Sequence, residues 1–373
     1  MAAAPLTLPT QCLPPLSFRP PRKKTTIPLL AFATACRARA PYPLKEGQSR
    51  LFHRLPSGLN MEVIFQKGLS SSSAAAAAAA AEEAEKGCRP PPLVFVHGSF
   101  HAAWCWAEHW LPFFSRAGFD CYALSLLGQG ESDVPTGAVA GTLQTHTSDI
   151  ADFIRKEVSM PPILIGHSFG GLIVQSYISK MMDQFSSSQT SSDERNACHP
   201  LLAGAVLVCS VPPSGNSGLV WRYLMFKPIA AIKVTLSLAA KAFANSLPLC
   251  RETFFSSTME DQLVLRYQEL MKESSKLPLF DLKKLNASLP VPSVSKDSIQ
   301  LLIMGSSDDF IVSIHWWFYI MDAEGLYETA KFYDVQPFCV EGVAHDMMLD
   351  SSWEKGAEII LSWLKNLHYE QIL

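Results

Sequence analysis

Four short segments carry side chains that could act together on an acyl carbon. Gly166-His167-Ser168-Phe169-Gly170 lies between the apolar run Ile163-Leu164-Ile165 and a second apolar stretch beginning at Gly171. This is the G-x-S-x-G spacing of a serine turned sharply between a strand and a helix. Such a turn needs positive φ at the serine and no side chains two positions to either side, where backbones must approach closely. Asp308 and Asp309 follow the run IQLLIMG, and His345 follows PFCVEG. A serine, a carboxylate and a histidine at three strand ends, in that order along the chain, suit nucleophilic catalysis: histidine takes the serine proton and the acid holds the imidazole tautomer. Two neighbouring aspartates leave the acid open. The fourth segment, His97-Gly98-Ser99-Phe100-His101, follows the first strongly apolar run. There the Ser99 amide is expected to form an oxyanion hole with the Phe169 amide, helped by the dipole of the helix that starts after the serine. His97 and His101 have no carboxylate or cysteine at ligand spacing, so no metal site is read; His97 is expected to be a structural hydrogen-bonder, while Phe100, His101 and Trp104 are expected to line the substrate pocket. No cofactor motif is found.

These residues need a frame that brings strand ends together. From Pro92 onward, apolar runs at Leu93, Phe119, Ile163 and Ala205 alternate with helical patterns over Thr145 to Val158 and Gly171 to Met181. Near-continuous apolar strands separated by helices imply an α/β fold with a mostly parallel sheet covered on both faces. Ahead of them, Leu51 to Leu55 and Leu59 to Gln66 are joined by Pro56-Ser57-Gly58, which predicts a hairpin. From about Pro212 the rhythm stops, and residues 212–297 form amphipathic helical stretches. The strands then resume at Ser298 and at Asp334, and Trp353 to Leu367 is a last helix. A helical insert before the last two strands forms a cap over the carboxyl edge of the sheet, where open α/β sheets place their ligands. Residues 46–211 and 298–373 are therefore read as the core.

These motifs resemble those of the α/β-hydrolase superfamily from about Leu51 to the C-terminus. The similar segments are HGSFHAAWCW at His97 to Trp106, LLGQGESD at Leu126 to Asp133, GHSFGG at Gly166 to Gly171, SDDFIV at Ser307 to Val312 and GVAHDMMLD at Gly342 to Asp350. The first and last look most like the plant methylesterase and hydroxynitrile lyase branch, although that branch uses leucine where this chain has Phe169. The resemblance implies the hydrolase fold and a Ser168, His345 and aspartate triad. Aligning Asp309-Phe310-Ile311-Val312 on the family's D-x-I-V run favours Asp309, whereas counting from Gly305 favours Asp308 as the alternative acid. The implied activity is cleavage of a carboxylic ester through an acyl-enzyme, without a cofactor. Two alternatives share the resemblance: a weakly hydrolytic small-molecule receptor, and a lyase on the same triad. A serine at 168 argues against epoxide hydrolase and dehalogenase chemistry, for which the resemblance would call for aspartate there.

The chain also departs from the family pattern after the acid loop. Ser313 to Met321, SIHWWFYIM, stands between the acid loop and the helical segment AEGLYETA. Its aromatics must bury against the cap or site mouth, or else expose a sticky patch; the competing reading is a variant segment with no role. The cap itself, with Trp221, Tyr223, Met225, Phe226, Phe243, Phe254 and Phe255, suits a hydrophobic acyl, lipid or small methyl ester, with peripheral membrane contact as one route of supply.

The 373 residues carry 31 Lys and Arg against 34 Asp and Glu. This gives no basic face for nucleic acid, and no apolar run is long enough to span a membrane. Nine cysteines without a CxxC pair suggest a reducing compartment. The charge is uneven, because residues 1–45 hold seven basic residues and no acid, leaving 24 basic against 34 acidic residues in the rest. Acid-free, hydroxyl- and alanine-rich segments of this kind are organelle presequences, and seven prolines up to Pro28 break the amphipathic helix that mitochondrial import favours. The expectation is a chloroplast transit peptide, with a mitochondrial presequence or a plain disordered tail as alternatives. The polyalanine run within residues 68–90 is expected to be a low-complexity insert outside the fold.

Overall fold

A computed structural model describes residues 40–69, 89–186, 199–218, 225, 228–294, 299–309 and 324–367. Residues 1–39 of the acid-free N-terminal segment, most of the polyalanine insert and the Ser313 to Met321 segment lie outside the described residues. Residues from Pro41 onward form one compact unit.

Eight strands make one sheet in the order β1-β2-β4-β3-β5-β6-β7-β8. The hairpin pairs β1 (Gln48–Arg54) with β2 (Asn60–Gln66) in antiparallel register, Arg54 opposite Asn60. Gly58 supplies the positive φ of +84° that its turn needs. β2 runs antiparallel to β4 (Cys121–Leu124), and every later pairing, through β3 (Leu93–Val96), β5 (Ile163–His167), β6 (Gly204–Val208), β7 (Leu301–Ser306) and β8 (Phe338–Val340), is parallel.

Side chains alternate across each strand, so the central strands feed two apolar cores. Leu93, Phe95, Ile163 and Ile165 pack on one face with Trp106, Trp110 and Phe114, while Val94, Val96 and Leu164 pack on the other with Phe153, Leu172 and Tyr177. Both faces are buried, which is why these strands read as unbroken apolar runs.

Between β3 and β4 lie two short helices that the sequence pattern did not reveal, α1 (Trp104–Ala107) and α2 (Trp110–Arg116). Trp104, Trp106 and Trp110 are all buried, so the segment lacks the polar face that gives a helical period. Each such tryptophan removes about 200 Å² from water, a gross gain of about 5 kcal/mol before ordering entropy.

α3 (Leu143–Glu157) starts ahead of the predicted Thr145 because Thr142 caps it: the Thr142 hydroxyl accepts from the Thr145 amide, and the Thr142 amide donates to Thr145 Oγ1. α4 (Phe169–Ser186) begins directly after Ser168. Of the strand expected from Asp334, only Phe338–Val340 forms. Pro337 cannot donate to a ladder, and the edge position leaves Phe338 exposed.

Between β6 and β7 the described chain forms α5 (Pro228–Ala239), a 3₁₀ turn (Ala242–Asn245), α6 (Leu247–Phe254), α7 (Asp261–Ser274) and α8 (Leu282–Ala287). Phe243, Phe254, Met259, Tyr267 and Met271 of this section join the core of α1 and the His345 loop. The sheet is completed by α9 (Glu324–Tyr333) and α10 (Trp353–Asn366). Among the described residues no helix is long and apolar enough to cross a membrane.

Candidate active site

Ser168 sits at the carboxyl end of β5 with φ of +54°. A non-glycine residue in that region is strained and persists only where its surroundings over-determine it. They do so here: the Ser168 amide donates to Val208 O of β6, and the Ser168 carbonyl accepts from Gly171 and Val211. The flanking glycines are required by close approach. A Cβ on Gly166 would lie 2.6 Å from the Gly170 carbonyl oxygen, and one on Gly170 would collide with the backbone of Val96 in β3.

The loop after β3 meets this elbow. A Cβ on Gly98 would stand 2.7 Å from Ser168 Cβ, so Gly98 lets the next residue, Ser99, come alongside the serine. Among the described residues neither the Ser99 nor the Phe169 amide has a hydrogen-bond acceptor, which leaves both available to an oxyanion. Phe100 follows in the left-handed region at φ +70° and packs on Phe243 and Phe254 of the cap section, ring centroids 4.9 and 6.5 Å away.

The two aspartates after β7 part company. Asp309 is 1% exposed, and its Oδ2 accepts from His345 Nδ1 at 2.8 Å. Asp308 instead organises its own loop: its Oδ1 accepts from Ser307 Oγ, and its amide donates to Val343 O. His345 is 2% exposed, with Nδ1 committed to Asp309. Burial by itself would lower the His345 pKa, but the charge and hydrogen bond of Asp309, with Asp346 beside it, hold it above the ordinary histidine value. The base is tied to the elbow as well. His167 Nε2 donates to the His345 carbonyl at 2.9 Å, and the two rings are 4.7 Å apart. Burial pushes His167 down to about 3, so it is a neutral donor.

His97 has the structural place expected of it: Nδ1 donates to Gly98 O, Nε2 accepts from the Leu126 amide, and burial lowers its pKa to about 3. His101 and Trp104, predicted to line the pocket, are both almost fully buried. Trp104 Nε1 donates to Ser274 Oγ and its ring stacks on Tyr267; His101 bridges Ser99 O and Asp346. Cys209, Ser306 and Asp309, with Leu326 and Thr329, line a small cleft behind the acid, which Phe100, His101 and Trp104 do not reach.

Two buried groups of metal-ligating side chains occur among the described residues, His167-His345-Asp346 and Cys209-Asp309-His345. Both share His345, whose Nδ1 is already engaged by Asp309, so an ion in the second group would compete with that bond.

Sequence reasoning overlooked several residues that hold the site. Asp350 accepts from the amides of Ala344 and Ser256 and from Ser256 Oγ, fastening the His345 loop to the cap section. The Asp346 amide donates to Phe254 O in the same way. Proximity to His345 was the one signal in the sequence; the cap-side partners come from 90 or more residues away.

Comparison with known proteins bears on the family and the fold. Residues 93–359 match the alpha/beta hydrolase family. Among curated proteins, the chain is 32% identical to protein phosphatase methylesterase 1 of Mus musculus over 91 residues, 24% of each chain. It is likewise 32% identical over 81 residues to a carbendazim hydrolyzing esterase of Nocardioides sp. (strain SG-4G), 22% of this chain and 33% of that one. It therefore spans about a quarter to a third of the length of these relatives. Solved structures of similar fold include an esterase from Exiguobacterium antarcticum, at TM-score 0.53 and 15% identity over 85% of this chain and 100% of that one. Another is an epoxide hydrolase from Vigna radiata, at TM-score 0.55 and 14% identity over 87% and 99%. A family match over residues 93–359, which hold six of the eight strands, means that this chain belongs to the alpha/beta hydrolase family.

Proposed function

We propose that the protein cleaves a carboxylic ester through Ser168, His345 and Asp309 and a covalent acyl-enzyme. The observation that carries this reading is the 2.8 Å bond from His345 Nδ1 to Asp309 Oδ2 in a buried site beside a serine held at positive φ. With Nδ1–H fixed on the acid, His345 Nε2 carries the free lone pair and takes the Ser168 proton as Oγ attacks the acyl carbon. The Ser99 and Phe169 amides hold the oxyanion, each contributing about 3 kcal/mol to lowering the barrier. The imidazolium then protonates the leaving alcohol, water enters with His345 as base, and the acid is released.

A serine nucleophile favours this chemistry over that of the epoxide hydrolases sharing the fold, since the alkyl-enzyme route calls for a carboxylate at position 168. Ester cleavage is also what the names of the two curated relatives suggest. Phe100, Phe243 and Phe254 give the cap side an apolar character that suits a hydrophobic acyl, lipid or methyl ester. We further read the segment ahead of Pro41 as a chloroplast transit peptide; residues 41–45, which the sequence reading included in it, pack on the fold through Tyr42, whose hydroxyl donates to Glu108.

A fluorophosphonate probe tests the chemistry. Labelling of Ser168, absent in Ser168→Ala, together with turnover on an ester panel supports the proposal; a folded protein that neither labels nor turns over any ester overturns it. A carbonyl product without an acyl-enzyme would identify a lyase, and ligand-dependent stabilisation without turnover a receptor.

A further inference from the structure

His101 and Asp346 form a buried polar pair that the proposed reaction leaves unused. Asp346 is fully buried and His101 is 1% exposed. His101 Nε2 lies 2.9 Å from Asp346 Oδ2, and His101 Nδ1 lies 2.8 Å from the Ser99 carbonyl oxygen. Both nitrogens face acceptors, so both bonds form together only when the ring presents two N–H donors. One imidazole thus joins the residue that offers an oxyanion amide to the residue that follows the general base, across 245 positions of sequence.

We propose that the His101–Asp346 bridge is a positioning device that holds the Ser99 loop and the His345 loop in one register, setting oxyanion donor and base together; this rests on the ester hydrolase reading above. Four observations lead there. Phe100, directly between the two bonded residues of the first loop, sits at φ +70°, a conformation that relaxes unless its neighbours hold it. The His101 bond to Ser99 O closes the chain around that residue. On the other side Asp346 has little freedom, because its amide donates to Phe254 O and the adjacent His345 is held by Asp309 and by His167. Finally, the pair lies among Trp104 and Phe254, ring centroids 5.6 and 6.1 Å from His101, where water cannot substitute for a lost partner. A buried polar bridge of this kind adds little net stability, since desolvation offsets attraction. What it adds here is direction, fixing two donors at once.

The groups facing Asp346 are His101 and, with Oδ1 3.7 Å from its Nε2, His167. His345 on the same loop and the thiols of Cys105, Cys209 and Cys250 complete its electrostatic surroundings. His345 in turn meets Asp309, Asp346, His167 and Cys209. Removing the Asp346 charge takes away one of the groups that raise the His345 pKa, so the acid limb of activity moves to lower pH.

Four variants of the full chain test the proposal on a soluble aryl ester. His101→Asn keeps a donor near the Nδ1 site and drops the Asp346 bond; His101→Gln keeps one near the Nε2 site and drops the Ser99 bond. Each is expected to lower kcat about tenfold or more with KM changed less than about threefold. Asp346→Asn should lower kcat similarly and shift the acid limb of the pH profile downward. The double variant His101→Gln/Asp346→Asn should be no worse than the poorer single one, as for residues acting as a unit. If Asp346→Asn does not fold, the two His101 variants decide. Wild-type kcat in both His101 variants overturns the bridge while fluorophosphonate labelling of wild-type Ser168 leaves the hydrolase reading intact; loss of wild-type labelling and turnover overturns both.

Discussion

The two halves of the site are held by different forces. Ser168 belongs to the centre of the sheet: β5 has parallel neighbours on both sides, the elbow is fixed by backbone bonds to β6, and its glycines are there because neighbouring backbones leave no room. Asp309 and His345 belong to the edge. They follow β7 and the three-residue β8, and what orients them is a set of side-chain bonds, His345 to Asp309, Asp350 to Ala344 and Ser256, His167 to the His345 carbonyl. Backbone packing is indifferent to protonation. The edge half depends on charges and therefore on pH.

Substitutions in each half test that contrast. Ser168→Ala should abolish ester turnover by about 10⁶-fold while leaving the melting temperature nearly unchanged, because the elbow is built by backbone; a mutant with wild-type turnover removes the nucleophile from the serine. Asp309→Asn should cost about 10⁴-fold in kcat by favouring the wrong His345 tautomer, again without unfolding. A folded Asp309→Asn with undiminished kcat would show that the edge half does not act through this bond.

Gly170→Ala probes the central half through stability. A methyl there meets the Val96 backbone, so denaturant unfolding should show a loss of about 3 kcal/mol. A loss below about 0.5 kcal/mol would mean that the strand and elbow can part without cost.

Acid should weaken the fold. Burial holds the pKa of His97 and His167 near 3 and that of His146 near 4, below the unfolded value of 6.5. A histidine with a depressed folded pKa binds its proton only when the chain unfolds, so stability is unaffected well above pH 6.5 and falls as pH drops toward the folded values. At pH 5 each group of this kind disfavours folding by about 2 kcal/mol. His345, raised rather than lowered, works the other way, adding stability below pH 6.5 that is lost as pH rises through its folded value. Unfolding free energies measured between pH 7.5 and 5 should therefore decline; a flat profile would contradict the three buried neutral histidines. Asp308→Asn, which alters the loop carboxylate bonded by Ser307, should change kcat by less than about fivefold. A larger drop there than in Asp309→Asn would reverse the roles of the two carboxylates.

Local sequence was enough to read the parallel sheet, the hairpin, the elbow and the set of candidate residues, because each rests on neighbours: apolar runs covered on both faces, Pro56-Ser57-Gly58 between strands, glycines two positions from Ser168. It could not choose between Asp308 and Asp309, which are adjacent and chemically identical. Only the position of His345, 36 residues on, distinguishes the carboxylate that reaches its Nδ1 from the one that closes a loop. Nor could it show α1 and α2, whose tryptophans are buried on all sides and leave no period to detect. His101 read as a pocket residue because its partner, Asp346, is 245 positions away. Contacts of that range are set by how strands order themselves in the sheet. The alphabet of the site was local, while its pairings depended on which loops the fold brought to the same edge.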